Sequence, residues 1–382
     1  MRRAGWICAV IGAGVAAALW LSRTPPALLP ALARVTFDAG VTTWPAISSD
    51  GRMVVYASDR DGGKNLDLYV QPVAGGEAVR LTQTPEDESE PDFSPDGGTV
   101  AFRSEREGGG IWKIPVAGGE AKLVAAGGDN PRYSPDGNWI AYSKDGEAWR
   151  IPAAGGTARP VGTNRGGGAL AWSPDGKSLL LGDGSVVPVS GEGRRYRLAG
   201  PIDDPNWIDA GLVYSRRTGW ARNAFLQRVD HGGDLVQLSN GTEVVDRVRT
   251  SKDGRIVFAS GTERFNFWAL QVDVDAAKVT GAMARVTDGY QPAQFSRIGE
   301  RSHTSPNGKW TYSFSCHGGR CAIVATPTAP GGAAVTVYEG DTPRLSIAGV
   351  NPDVRDLAVT REKIVVLVAE ESTNIWVMDL QR

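Results

Sequence analysis

Short apolar runs alternate with glycine-rich polar turns along most of this chain, and the stretch from Glu90 to Val124 carries the pattern at its clearest. A run ending at Ser94 meets a Pro95-Asp96-Gly97 turn, then an apolar run to Phe102, a glycine loop, a run built on Trp112, a Gly118-Gly119 turn, and Lys122 to Val124. The pattern predicts four short strands. Such a unit cannot bury its own faces alone, so it must stack on copies of itself.

The copies are present. A Ser-x-Asp-Gly turn recurs at Ser48 to Gly51, Ser134 to Gly137, Ser173 to Gly176 and Ser251 to Gly254, and as Ser305-Pro306-Asn307-Gly308. Proline presets φ, aspartate bonds its own backbone and glycine takes positive φ, so the tetrapeptide joins two strands. Two further units, around Asn206 to Ser215 and Leu357 to Val366, keep the strands without the tetrapeptide, which makes eight in all. Steps between equivalent turn positions run from 34 to 54 residues, the period of a β-propeller with four strands per blade. Third strands carry Leu68-Tyr69-Val70, Trp112-Lys113-Ile114, Trp149-Arg150-Ile151, Trp268-Ala269-Leu270 and Trp376-Val377-Met378, whose large side chains are read as packing between blades.

The ends decide whether the ring closes. The last unit stops at Arg382 after its Trp376 strand and has no fourth strand of its own. Arg34-Val35-Thr36-Phe37 is similar to the fourth strands Val79 to Thr82 and Ala284 to Thr287, so it is expected to complete the last blade and remove two exposed edges. The fold class expected is all-β: a propeller of eight four-stranded antiparallel blades, or seven if the degenerate region from Gly289 to Gly308 is no blade.

These repeats resemble those of the TolB-like propellers built of WD40-like PD repeats. The resemblance rests on Phe93-Ser94-Pro95-Asp96-Gly97 running to Val100-Ala101-Phe102, the following Ile111-Trp112-Lys113-Ile114 and Gly118-Gly119, and covers residues 34 to 382. It implies a protein- or peptide-binding module of the bacterial envelope, or the ectodomain of a membrane-anchored protein. The fold alone does not settle an activity.

Residues 1–23 change the picture of location. Met1-Arg2-Arg3 precedes an uncharged run from Ala4 to Leu21, closed by Arg23. A run of that length can just span a bilayer, and the arginines favour a cytoplasmic N-terminus. A signal anchor is expected, followed by a linker at 24–33 and the propeller at 34–382. A cleaved signal peptide is the rival, because Ala31-Leu32-Ala33 has the small-x-small form. Either way the propeller is exported, in the first case to the periplasmic side of the inner membrane as a single-pass protein.

Composition narrows the function further. The net charge of −2 leaves no nucleic-acid footprint. Cys316 and Cys321 flank a four-residue connection, close enough for a disulfide in an oxidising compartment, whereas His317 between them does not make a zinc knuckle. The acidic loop Asp59 to Asp67 lacks the closing glutamate of a calcium loop and reads as a solvated hairpin, as does Glu86 to Glu90. With three histidines and no nucleophile elbow, P-loop or dinucleotide fingerprint, no catalytic residue, cofactor or metal is assigned.

The remaining argument is geometric. Loops at the starts of inner strands and after second strands share one face of a propeller, where binding residues tend to lie. That face is expected to receive Trp44, Glu90, Asn130, Arg132, Asp204, Asn206, Arg247 and Gln291 from inner-strand starts, with Arg103 and Arg216 from second strands. The mixture suits a polar protein or peptide partner. A propeller glycosidase or lyase, with carboxylates meeting in the central channel, is the alternative.

Overall fold

The computed structural model describes residues 32–37, 41–61, 65–164, 170–193, 195–198, 202–218, 221–228, 234–239, 244–286, 302–317, 320–339, 357–360 and 362–379. The expected anchor at 1–23 lies outside them. Among the described residues no helix is long and apolar enough to cross a membrane.

The described residues form almost only strands and make eight four-stranded antiparallel units, five as separate sheets and three sharing the strands of one ten-stranded sheet. The turn chemistry works as the sequence implies. In the second blade Ser94 Oγ donates to Asp96 Oδ1 at 2.5 Å and accepts the Thr99 N–H at 2.9 Å, while Gly97 takes φ 72°. Equivalent bonds recur at Ser48, Ser134, Ser173, Ser251 and Ser305, so one local device sets the first two strands of six units.

Burial is graded outward. Second strands such as Met53–Ser58 and Trp139–Lys144 are nearly all buried, because blades cover both of their faces. Fourth strands such as Lys122–Ala126 are mostly exposed. Trp112 is buried in a core cluster, as expected of a packing residue, and Trp172 of the fourth blade's inner strand is buried in another.

Six apolar clusters join consecutive units in a closed cycle. The first sets Val55, Leu68 and Val70 against Phe93, Phe102 and Trp112. Three more follow between the second and third, third and fourth, and fourth and fifth units. The fifth packs Val213 and Leu226 against Val245, Ile256 and Phe258. The sixth returns to the start, with Val257, Ala259 and Ile375 against Ile47, Val54 and Tyr56. The two remaining units pack on each other through Leu270, Val272, Tyr312, Ile323, Ile364 and Val366.

The closing blade is assembled from three parts of the chain. Val244–Thr250 and the start of Arg255–Asp273 form its inner strands, the end of Lys363–Asp379 its third, and Leu32–Arg34 its fourth. The N-terminal strand thus closes the ring on the Trp376 strand as expected, with Arg34 paired to Trp376. It pairs two residues earlier than the Arg34–Phe37 run. Val35 and Thr36 still clasp the blade: the Val35 N–H donates to Ile375 O at 2.8 Å, and Thr36 Oγ1 accepts the Ile375 N–H at 2.9 Å. Gln71 of the first blade donates to Val35 O at 3.0 Å, tying both sides of the closure together.

The inner strands of this blade are not Leu357–Val366, as the repeat spacing suggests. Strands Arg255–Asp273 and Lys363–Asp379 run on as a continuous ladder from Arg255↔Asp379 to Gln271↔Lys363. Their far halves, with Lys278–Arg285 and Leu357–Val359, make the seventh unit, and Ser302–Tyr338 makes the eighth. Residues 262–372 are therefore an insertion between two neighbouring strands of one blade. Within it Cys316 lies opposite Cys321 in the ladder.

Two loops depart from the expectation of solvated hairpins. Glu88 is completely buried, and Asp67 is buried and paired with Arg80 at 2.5 Å. Both point back between the first two blades, where they meet hydroxyls and arginines rather than solvent.

Candidate functional site

Inner strands share one irregularity. In five blades the ladder with the second strand shifts register at the same place, between Thr43 and Ala46, Ser89 and Asp92, Asp129 and Arg132, Asp203 and Asn206, and Asp246 and Arg249. Each shift is a bulge carrying a non-glycine residue at positive φ: Trp44 at 52°, Glu90 at 55°, Asn130 at 52°, Asp204 at 49° and Arg247 at 55°. Each such backbone costs about 1–2 kcal/mol for an L-residue. Bulges re-aim side chains at barrel rims and beside sites.

These five residues are all among those expected on the ligand-facing face, and their contacts cross blade boundaries. Arg247 of the sixth blade stacks on Trp44 of the first, its guanidinium carbon 3.4 Å from the ring centroid. The same guanidinium lies 3.6 Å from Asp204 of the fifth blade, whose other oxygen accepts the Arg247 N–H at 3.3 Å. Glu90 accepts the Asn130 N–H at 2.5 Å from the third blade. Burial pushes the Glu90 carboxyl above its ordinary range and the charge of Asp129 adds to this, against the pull of the Asn130 amide, Arg103 and Arg247. The charge of Arg247 in the sixth blade thus acts on Glu90 in the second.

Arg103 supports this group from the second strand of its blade, donating to Gly128 O at 2.7 Å and pairing with Glu105. Arg132 and Asn206 sit one step deeper, two residues beyond the bulges. Asn206 donates to Val248 O at 2.6 Å. Arg216 is exposed at the same end of the fifth blade as its bulge, one residue past Ser215, which pairs with Asp203. Gln291 lies outside the described residues.

Three contributors escape a reading by residue type alone: Asp129 beside Glu90, and the deeper Asp92 and Arg249. Asp92 accepts the Tyr133 N–H at 2.7 Å and is pushed up to about 6 by burial, against the pull of Arg132. A sequence signal for them exists. Trp44, Glu90, Asn130 and Asp204 each precede a proline lying three positions before the residue that opens the turn, so x-Pro-x marks both layers.

Part of this architecture is structural. The inner edge of each innermost strand has no further strand to pair with, and carboxylates cap its amides: Glu90 on Asn130, Asp92 on Tyr133, Asp204 on Arg247. What capping does not require is the stacked Trp44–Arg247 pair or the strained backbone beneath it. Among the described residues no group of three or more His, Cys, Asp or Glu is placed to hold a metal.

Residues 31–183 match the TolB beta propeller domain. An uncharacterized peptidase, YuxL, of Bacillus subtilis is 28% identical over 142 residues, 27% of this chain and 22% of that protein. An uncharacterized protein of Agrobacterium fabrum, Atu1656, is 33% identical over 103 residues, 26% of this chain and 34% of that protein. The chain thus spans about a fifth to a third of the length of these relatives. Among solved structures, the tricorn protease aligns at 15% identity and TM-score 0.47, over 79% of this chain and 32% of that one. A putative TolB from Agrobacterium tumefaciens aligns at 13% identity and TM-score 0.34, over 90% and 91% of the two chains. Residues 31–183 thus resemble the PD40 repeats of the TolB beta propeller domain.

Proposed function

We propose that this TolB-like propeller is a non-enzymatic binding module of the bacterial cell envelope, which holds a protein or peptide over the mouth of its channel. In this reading residues 1–23 tether it to the inner membrane, with the ring on the periplasmic side. The observation that carries the reading is the convergence of Trp44, Glu90, Asn130, Asp204 and Arg247, from five blades, on one polar and aromatic mouth with positive-φ backbone at every member. Strain of this kind persists where a site needs its side chains pre-set, and Trp and Arg are the residues that dominate binding hot spots. TolB-like relatives are binding modules in general, which agrees with it.

The test is capture from native envelope with the full chain, comparing wild type with a Trp44→Ala, Arg247→Ala variant. A specific protein retained by wild type and lost by the variant supports the module. Equal capture by both would overturn the placement of the site.

A second reading has one observation in its favour: burial raises both the Glu90 and the Asp129 carboxyls, and the charge of Asp129 raises Glu90 further. Two such carboxyls could divide acid and base roles on a glycan. Turnover of an envelope glycan that disappears in Glu90→Gln would favour this enzyme over the module.

A further inference from the structure

One layer below the mouth, the residue two positions after each bulge is Ala46, Asp92, Arg132, Asn206 and Arg249, in the first, second, third, fifth and sixth blades. The two arginines are the anomaly. Arg132 is 6% exposed and Arg249 5%, yet among the described residues neither has a carboxylate within 4 Å. Each makes one side-chain bond, folding back on the carbonyl before it: Arg132 Nη1 to Pro131 O at 2.7 Å, Arg249 Nη1 to Val248 O at 2.6 Å. Arg132 Nη2 and Arg249 Nε are buried with no partner.

Ladder parity shows where these groups lie. The Ser134 N–H donates to Trp139 O, so Arg132, two residues away and opposite Ala141, also points its N–H outward at the second strand. The carbonyl of the same peptide, Pro131 O, then points the opposite way, to the axis. Ser251 N–H donating to Arg255 O fixes Val248 O in the same manner. Both guanidiniums are thus bonded to carbonyls that face the channel, and they stand on the third and sixth blades, opposite members of a cycle of six.

A buried guanidinium without a counter-ion is strongly unfavourable. Asp92 and Asp129 both feel the charge of Arg132, but Asp92 is already engaged by the Tyr133 N–H and neither acid forms an ion pair with either guanidinium. The acids above them do not close the way in: Glu90 is held by the Asn130 amide, and Asp204 by Arg247. We propose that the channel is a carboxylate site, in which Arg132 and Arg249 receive an acidic side chain or C-terminus of the peptide bound at the mouth. This rests on the binding-module reading and adds the chemistry of the anchoring group. Arginine suits it because its planar fork matches a carboxylate.

The experiment uses the full chain with Arg132→Met, Arg249→Met and the double variant, and Arg52→Met at an exposed turn as control. Fluorescence anisotropy follows a labelled tetra-aspartate peptide and its tetra-asparagine counterpart, and thermal melting is recorded in acetate and in chloride at equal ionic strength. Wild type should bind the aspartate peptide at least tenfold more tightly than the asparagine one. Either deep variant should lose at least tenfold, and Arg52→Met should not change it. Because the arginines are unpaired in the free protein, each methionine should hold or raise the melting temperature, the opposite of what a structural arginine would do.

Acetate stabilising wild type but not the variants, without peptide binding, would make the occupant a small free carboxylate and overturn the peptide source. Equal binding of both peptides, or affinity unchanged in the double variant, overturns the site. An envelope partner lost on Trp44→Ala, Arg247→Ala but retained by Arg132→Met, Arg249→Met would leave the module standing and remove this inference alone.

Discussion

Arg247 lies over Trp44 with its guanidinium carbon 3.4 Å from the ring centroid, so that a cation from the sixth blade and an aromatic face from the first meet across the closure of the ring. Such a pair contributes about 0.5–2 kcal/mol, more as it loses water. Trp44→Ala should lower stability by about 1 kcal/mol, read from denaturant midpoints, while weakening partner binding by well over tenfold. A large stability loss with binding unchanged would make the pair structural only.

The N-terminal clasp gives a second prediction. Val35 is buried and Thr36 bonds both the amide of Ile375 and the side chain of Asn374. Burying a valine contributes about 1.5–3 kcal/mol, so Val35→Asp, which also buries a charge, should destabilise by about 3 kcal/mol or more in equilibrium unfolding. Starting the chain at residue 38 should expose the Trp376 strand as a free edge and promote association, measurable by light scattering.

Stability should depend on pH through Glu88. Its carboxyl is pushed up to about 7 by burial, which outweighs bonds from Thr84 and the nearby Arg106, and its Oε2 has no partner. A folded-state value above the unfolded one means that the native state binds the extra proton. Stability should therefore fall as pH rises from about 4.5, an ordinary glutamate value, to about 7. Glu88→Gln should flatten that slope in melts between those limits. The turn aspartates Asp96, Asp136 and Asp175 act oppositely: serine hydroxyls hold their carboxyls below the usual range, so their contribution is present above about pH 4 and lost below it.

Excising the insertion tests the routing of the chain. Gly261 pairs with Thr373, so replacing residues 262–372 by Asn-Gly would join the second and third strands of the sixth blade as an ordinary hairpin. The shortened chain should unfold in one cooperative transition near the wild-type midpoint and keep the mouth. Failure to fold would mean that the two outer units support the ring.

The cysteine pair has a parity of its own. Thr328 N–H donates to Lys309 O, so Lys309 and Thr328 form a hydrogen-bonded pair, and seven residues on Cys316 and Cys321 fall on a non-hydrogen-bonded one. Such positions bring Cα atoms to about 4.5 Å, within disulfide range. Protein recovered from an oxidising compartment should resist thiol alkylation at both positions until reduced.

The sequence by itself determined the blade. Ser-x-Asp-Gly turns, apolar second strands and the Gly-Gly connections are local devices, each complete within a few residues, and they fixed the four-stranded unit and the closing role of the N-terminal strand. It also pointed to Trp44, Glu90, Asn130, Asp204 and Arg247, because all stand at the same offset before a turn. Tertiary structure alone decided which strands share the last blade, since Arg255–Gly261 and Thr373–Asp379, separated by residues 262–372, meet only through long-range pairing. It also decided that Arg247 reaches Trp44. Repeat spacing says where a strand begins, but pairing at long range depends on which apolar faces remain uncovered once the first five blades have packed.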